Sequence, residues 1–214
     1  MVPIRIPVGE LQTNCWIIPL TEEMEEPGTC ILVDPGDEGG RILAQLTKLK
    51  LQPRCIVLTH GHFDHVAALP ELAAAFPHVT IAIHTTEQAK LGPGSLELHR
   101  RDFAAVDALS YVDARWKPLP AASLFLNEGD SLEPFTVLHL PGHSPGSIGL
   151  YQQTEKILIS GDTLFFAGVG RTDLAGGDEQ QLNHSLARLF TLDGDTAVYP
   201  GHGPATTIRR ERAR

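Results

Sequence analysis

The segment IVLTHGHFDH, residues 56–65, constrains this chain more than any other stretch. An apolar run ends in four side chains that can bind a metal, namely His60, His62, Asp64 and His65. Neutral imidazoles and carboxylates are ligands of borderline divalent cations. Alternate residues leaving a strand point to opposite sides, so the first two histidines can face one position while the last two residues turn toward a second. The segment therefore predicts a metal-binding loop at the end of a buried strand.

Three more candidate ligands follow apolar strands further along the chain. His143 lies in LPGHSPGS, Asp162 in ILISGDTLFF and His202 in VYPGHGPA, and each stands in a turn that carries glycine. Active sites of open sheets collect at strand ends, because rigid strands position the loops. A surface loop that merely happens to be rich in histidine does not explain this repetition, so we expect all seven side chains to meet in one site.

The order of the predicted elements indicates an α/β protein. VPIRIPV, NCWIIPL and CILVDPG read as strands, and residues 38–50 have apolar side chains at helical spacing. RCIVLTH then predicts a buried strand, residues 66–75 a helix, and VTIAIH another strand. Strands, a helix over DEQQLNHSLARLFTL and a last strand in TAVYPGHG follow. Alternation of strands and helices is typical of the α/β class.

We interpret the chain as a single domain over residues 1–214. Residues 88–125 break the alternation and are rich in helix breakers at both ends, which favours a lid-like excursion lying over the core. The segment 206–214 is basic and is expected to be a frayed tail.

Charge and composition narrow the function. A formal net charge of −9 argues against a nucleic-acid partner, since duplex affinity rests on neutralising phosphates. No stretch approaches the roughly 18 apolar residues of a membrane span, and the N-terminus does not read as a secretory signal. Cys15, Cys30 and Cys55 are odd in number and widely spaced, which suits reduced thiols and a cytoplasmic location. The sequence leaves the oligomeric state open.

The motifs THGHFDH, PGHSPG, SGDT and YPGHG, in this order, resemble the metallo-β-lactamase superfold and most of all its glyoxalase II branch. The resemblance implies an αββα sandwich of two mixed β-sheets flanked by helices, with the metals at one edge of the sheets. It implies two divalent cations, zinc by preference, with iron or manganese as alternatives. The first would be held by His60, His62 and His143, the second by Asp64, His65 and His202, and Asp162 would bridge them.

The resemblance also implies a role for three further features. Asp34, in ILVDPG, matches the aspartate that orients the histidine loop. Asp64 would orient a bridging hydroxide that attacks an acyl carbonyl, and a thioester suits this chemistry because a thiolate leaves readily. Arg171, in GVGRTDL, is a candidate for binding a substrate carboxylate; pairing with Asp173 or Asp178 is the equally weighted alternative.

The resemblance is incomplete in one respect. Glyoxalase II enzymes carry a C-terminal helical domain that contributes to glutathione binding, whereas this chain ends twelve residues after His202. The expectation is therefore a short form that hydrolyses a small-molecule thioester, with a glutathione conjugate as one candidate. A persulfide dioxygenase holding one iron on His60, His143 and Asp162 is the alternative, and a non-catalytic metal-binding module is a second one.

Overall fold

The structure, a computed structural model, describes residues 2–20 and 27–214. The strands of these residues are β1 (Ile4–Val8), β2 (Thr13–Pro19), β3 (Gly28–Val33), β4 (Leu51–Val57), β5 (Thr80–His84), β6 (Leu124–Leu126), β7 (Ser131–Leu132), β8 (Phe135–His139), β9 (Ile148–Gln152), β10 (Ile157–Gly161), β11 (Leu164–Phe165), β12 (Gly168–Val169), β13 (Ala197–Pro200) and β14 (Thr206–Thr207). The helices are α1 (Gly39–Leu49), α2 (Phe63–Val66), α3 (Leu69–Ala75), α4 (Leu96–Ala104), α5 (Leu109–Arg115), α6 (Glu179–Leu189) and α7 (Ile208–Arg212), with a 3-10 helix over Thr85–Lys90.

Within the described residues the strands form two mixed sheets of six and one two-stranded hairpin. The first sheet has the order β1-β2-β3-β4-β5-β6; it is antiparallel from β1 to β3 and parallel from β3 to β6. The second has the order β14-β13-β10-β9-β8-β7, in which only β10 and β13 are parallel. The hairpin pairs β11 with β12.

Apolar side chains fill three layers of core between these elements. Trp16, Ile31 and Val57 of the first sheet face Phe135 and Leu150 of the second, so the two sheets pack face to face. The outer face of the first sheet packs against α1, α3, α4 and α5. The outer face of the second packs against α6 and α7. The predicted αββα sandwich of two mixed β-sheets flanked by helices is therefore confirmed.

Parallel pairing brings the predicted site residues to one edge of the sandwich. In the first sheet, Val33 at the end of β3 lies opposite Val57 at the end of β4. In the second, Gly161 at the end of β10 lies opposite Pro200 at the end of β13. Parallel strands that end in register deliver the residues after them to the same place, so four separate turns open toward one site.

One helical segment differs from the sequence-based expectation, and the segment 88–125 has its helices in its middle, packed on the core. The helix expected over 66–75 begins later, as α3, and a separate short helix, α2, precedes it. Pro70 lies in the first turn of α3, where its missing N–H costs no hydrogen bond. Residues 88–125 contain α4 and α5. Phe103 and Val112 from this segment are buried in the core on the outer face of the first sheet. The segment thus contributes to the helical layer, and its action as a lid stays a prediction.

The C-terminal segment also differs from the expected frayed tail. It forms β14 and α7, because Ile208 is fully buried in the core beside α6. The Glu211 carboxylate is buried too, and it accepts hydrogen bonds from Thr206 Oγ1 and from the backbone N–H of Ala167. These contacts could not be predicted from the charged sequence of the segment, because only one apolar residue, Ile208, and one carboxylate, Glu211, make them. None of the helices in the described ranges is long and apolar enough to cross a membrane.

The buried position of Ile208 predicts a measurable contribution to stability. Replacing Ile208 with alanine removes buried methyl groups and leaves a cavity, so we expect the free energy of unfolding to fall by about 2–4 kcal/mol. Urea denaturation of both proteins measures the change. Leu124→Ala is the matched control, because the Leu124 side chain on the edge strand β6 is partly exposed. It should change the free energy of unfolding by less than about 1 kcal/mol. Equal losses from the two variants would contradict a docked C-terminal segment.

Candidate metal centre

The first group of site residues consists of His60, His62 and His143. Their ring nitrogens converge: His143 Nε2 lies 2.9 Å from His62 Nδ1 and 3.2 Å from His60 Nε2. One ligand atom from each residue lies within 4.8 Å of the other two. The three rings are buried, so solvent does not separate them. Three imidazoles whose nitrogens point at a common position are a suitable set of three ligands for a divalent cation.

The second group consists of Asp64, His65 and His202. Asp64 Oδ2 lies 3.6 Å from His65 Nε2 and 3.4 Å from His202 Nε2. These three ligand atoms also fall within 4.8 Å of one another. His65 is fully buried whereas His202 is partly exposed, so this group faces the cavity described below.

Asp162 lies between the two groups. Its Oδ2 is 3.7 Å from His143 Nε2 and 3.6 Å from His202 Nε2, while its Oδ1 is 3.5 Å from His65 Nε2. Asp162 Oδ1 and His65 Nε2 are buried and have no hydrogen-bond partner among the described residues. Buried polar atoms are nearly always satisfied, so orphaned ligand atoms at this point suit a cation. The position is the one expected of a bridging carboxylate.

Asp34 holds the histidine loop from behind. Its Oδ1 accepts a hydrogen bond from the backbone N–H of Thr59 at 2.7 Å, and its Oδ2 accepts one from Thr59 Oγ1 at 2.6 Å. The same Oδ2 lies 3.0 Å from His65 Nδ1. A carboxylate can only accept, so His65 carries a proton on Nδ1 and directs Nε2 into the site as the ligand atom. Thr59 Oγ1 is 3.1 Å from His60 Nδ1. Because its own proton goes to Asp34, Thr59 Oγ1 accepts a hydrogen bond from His60 Nδ1, and the Nε2 of that ring is left as the ligand atom.

Backbone carbonyls orient two other rings. His143 Nδ1 donates to the carbonyl of Arg171 at 2.8 Å, and His202 Nδ1 donates to the carbonyl of Leu11 at 3.1 Å. Because a carbonyl can only accept, each ring carries a proton on Nδ1, and the lone pair of its neutral form is on Nε2, which is directed into the site. The tautomers that metal binding requires are thus set by partners on the far side of each ring.

The electrostatics favour ligand forms of these groups. Burial lowers the pKa of His60 and His62 well below the ordinary value, so both rings are neutral. Burial would raise the pKa of Asp162, but His65 and the other histidines lower it to about 2, so the carboxylate is ionised. Burial would likewise lower the pKa of His65, but Asp162, Asp64 and Asp34 raise it well above its ordinary value, with Asp162 contributing most, so the ring is protonated in the metal-free protein. A divalent cation would displace that proton.

The donor set excludes thiolate chemistry. The three cysteines, Cys15, Cys30 and Cys55, are buried away from these groups, and burial raises the pKa of Cys30 to about 12 and of Cys55 to about 11. Imidazole nitrogens and carboxylate oxygens suit zinc, iron and manganese alike. The residues present therefore fit divalent cations.

Glycine allows the closest approaches at the site. A Cβ on Gly201 would lie 2.0 Å from Asp162 Oδ1, and a Cβ on Gly36 would lie 1.7 Å from the backbone oxygen of Asp64. Both contacts are far inside van der Waals distance, so any side chain would push a ligand residue away. These two contacts explain the first glycine of YPGHG and the glycine of DPG.

Glu87 supports the site and was not predicted from the sequence. It lies in the 3-10 helix and is only 3% exposed. One carboxylate oxygen accepts a hydrogen bond from the N–H of Gly61 at 3.2 Å, and the other accepts one from the N–H of Gly146 at 2.9 Å. Glu87 therefore ties the loop of His60 and His62 to the loop of His143. A single buried glutamate leaves no periodic signal in a sequence, so spacing alone could not identify it.

A cavity of about 460 Å³ opens above the two groups, and we call it the site cavity. Its floor is polar and its walls are largely apolar. Arg171 lines it, but the guanidinium makes two hydrogen bonds to the Asp173 carboxylate, at 2.6 and 2.8 Å. The pairing alternative foreseen for Arg171 is thus present, and substrate binding by this side chain stays a prediction. The lining consists of Leu11, His62, Asp64, Phe103, Val106, Ala108, His143, Asp162, Phe165, Val169, Arg171, Leu174 and His202.

The αββα sandwich with two groups of metal ligands at the edge of its sheets defines a class of metal-binding proteins. A comparison with known families supports this assignment. The model of the metallo-beta-lactamase superfamily matches residues 8–202. The match covers most of the chain and includes all seven predicted ligands. The chain belongs to the metallo-beta-lactamase superfamily.

Similar proteins within the superfamily have diverse names. The hydroxyacylglutathione hydrolase GloC of Haemophilus influenzae is 34% identical over 213 residues, covering 97% of this chain and 93% of the relative. The crystal structure of BLEG-1 B3 metallo-beta-lactamase has a TM-score of 0.84 at 33% identity and covers 100% of this chain and 97% of the other. TTHA1623, solved in a di-iron-bound form, has a TM-score of 0.79 at 38% identity, with 98% and 96% covered.

The contacts of Glu87 predict a role in metal affinity. Glu87→Gln keeps the shape but replaces one acceptor oxygen with an amide that cannot accept from a backbone N–H. We expect the affinity for the cation of the His60, His62 and His143 group to fall by about 10- to 100-fold, as for other residues that orient metal ligands. Competition with a chromogenic chelator measures the affinity.

Glu71→Gln is the matched control for this test. Glu71 forms a surface ion pair with Lys117, away from the ligands, and its side chain is partly exposed. The control should bind metal as the wild type does. Unchanged affinity in Glu87→Gln would show that the two loops hold their positions without this carboxylate.

Proposed function

We propose that this protein is a metal-dependent hydrolase that cleaves thioesters by chemistry of the glyoxalase II type. The observation that carries the proposal is the pair of ligand groups joined by Asp162 at the floor of the open site cavity. His60, His62 and His143 would hold one cation; Asp64, His65 and His202 would hold the other. When bound, such cations polarise a carbonyl oxygen and lower the pKa of water toward neutrality.

The residues of the chain would position the reactants. Asp64 lies at the cavity floor, and its Oδ2 accepts a hydrogen bond from Thr13 Oγ1 at 3.0 Å, which fixes the orientation of the carboxylate. In that orientation Asp64 can accept a hydrogen bond from the attacking water and direct its lone pair at the carbonyl. The buried rings of His60 and His62 exclude bulk solvent from beneath the reacting atoms.

A thioester suits this site because of its leaving group. Water adds to the acyl carbon, the carbon–sulfur bond breaks, and the products are a carboxylate, a thiol and one proton. A thiolate has a pKa near that of cysteine, about 8.5, so it can depart before it is protonated. No side chain has to act as a general acid, and none of the described residues at the cavity floor is a neutral carboxylic acid or a lysine. The relationship to a protein named hydroxyacylglutathione hydrolase supports the same reaction class.

A second function has a specific geometric basis. His60, His143 and Asp162, predicted as the ligands of a single iron in a persulfide dioxygenase, lie together: His143 Nε2 is 3.2 Å from His60 Nε2 and 3.7 Å from Asp162 Oδ2. Two histidines and one carboxylate are the ligands of many mononuclear iron oxygenases. The intact second group, with Asp64 and His202, favours the hydrolase, because a mononuclear enzyme has little use for it.

The direct test is thiol release by protein reconstituted with zinc, iron or manganese. The substrates are S-D-lactoylglutathione and a neutral thioester, S-hexanoyl-N-acetylcysteamine. We expect kcat/KM of about 10⁴ M⁻¹s⁻¹ or more on at least one of them. A chelator should abolish the rate, and adding the metal back should restore it.

Three control assays separate the competing functions. Oxygen uptake with glutathione persulfide by protein holding one iron would favour the dioxygenase, and hydrolysis of a cephalosporin alone would favour a β-lactamase. Protein that holds two metals and turns over none of these substrates would leave the non-catalytic metal-binding module as the better account.

A further inference from the structure

The walls of the site cavity come from three separate parts of the chain, and all of them contribute apolar side chains. Leu11 stands in the turn between β1 and β2, Phe103 and Val106 belong to α4 and the connection to α5, and Val169 lies on β12. No single segment dictates this composition. Apolar side chains from independent elements around a polar floor are the usual pattern of a pocket for an apolar ligand group.

Two of these wall residues are unusually exposed for their type. Leu11 is 42% exposed and Val169 is 48% exposed, and both are among the few large apolar side chains that face solvent in the described part of the chain. Covering them with an apolar group removes their surface from water, which is favourable by about 25 cal/mol per Å². Exposed apolar surface next to the reaction centre therefore increases the binding free energy of an apolar substrate.

The charges around the cavity disfavour an anionic substrate. Among the described residues that line it, Arg171 is the one with a fixed positive charge, and Asp173 already engages both its Nε and its Nη2. A substrate carboxylate would have to displace Asp173 from a two-bond contact. The cations that Asp64 and Asp162 would bind offset the charge of these two floor carboxylates, so it is the walls, together with the formal net charge of −9 on the whole chain, that disfavour an anion.

We infer that the site cavity selects thioesters with an uncharged, apolar acyl chain of medium length over the hydroxyacyl thioesters of glutathione. The inference rests on the proposed thioester hydrolysis and names its substrate class. Each methylene that the walls bury contributes about 0.8 kcal/mol, which corresponds to roughly fourfold in kcat/KM. The gain should stop when the chain outgrows the cavity.

The test is a series of acyl thioesters on one neutral carrier, N-acetylcysteamine, hydrolysed by the metal-loaded protein. We expect kcat/KM to rise by roughly fourfold per methylene from acetyl through butyryl to hexanoyl. S-D-lactoylglutathione should react at least about tenfold more slowly than the hexanoyl compound, because it lacks the chain that the walls bury.

Variants at Val169 show whether the apolar wall causes the preference. Val169→Asp places a carboxylate on the wall and should flatten the chain-length dependence, and Val169→Thr, which preserves the shape, should weaken it in the same direction. Leu124→Asp changes a partly exposed leucine on β6 outside the cavity lining and should leave the whole series unchanged.

The possible outcomes separate the inference from the function beneath it. Hydrolysis without a rise with chain length, a preference for S-D-lactoylglutathione, or an unaltered slope in both Val169 variants would overturn the inference and leave the hydrolase intact. Failure of metal-loaded protein to cleave any thioester of the series would overturn the proposed function, and the inference with it.

Discussion

Five imidazole rings and two carboxylates lie together at the edge where the two sheets meet, and most of their atoms are withdrawn from water. Burying charged and polar groups costs free energy unless other charges compensate them. Here the ligand atoms point at one another, with Asp162 within 4 Å of ring nitrogens in both groups. A divalent cation in each group is the compensation that this chemistry favours.

The fold is arranged so that these side chains cannot turn away. The rings of His65, His143 and His202 are each held from outside by an acceptor that fixes which nitrogen faces inward. Asp34 and Glu87 then connect the loops themselves through backbone N–H groups. Since both loops follow strands packed into the core between the sheets, displacing one ligand would disturb that core. Precise ligand geometry is thus a property of the sandwich as a whole.

The sequence predicts much of this arrangement because the relevant signals are local. Each ligand candidate follows an apolar strand within a few residues, and glycines mark the turns where backbone approaches a ligand. The strand ends and the ligand candidates that follow them could therefore be anticipated, and the resemblance to a known superfold implied the two mixed sheets and the role of Asp34. The positions of the seven predicted ligands in one cluster follow from parallel pairing of β3 with β4 and of β10 with β13.

Features that depend on long-range contacts could not be anticipated. Glu87 acts on two loops that are distant from it in sequence, so no motif surrounds it. The tail looked like a solvated basic segment, and only the burial of Ile208 against α6 gives it structure. The apolar walls of the site cavity are assembled from residues 11 to 174, and no single segment of that range reads as a binding surface. Whether Arg171 pairs with Asp173 or reaches a substrate was likewise open in the sequence.

The proposed function requires that the seven side chains form two cation sites that share Asp162. Calorimetric titration of metal-free protein with zinc tests it most directly, using the wild type beside His202→Ala. We expect the wild type to bind two equivalents and the variant to bind one with undiminished affinity, because the group of His60, His62 and His143 is intact in the variant. One equivalent in the wild type, or two in the variant with unchanged affinities, would contradict this requirement.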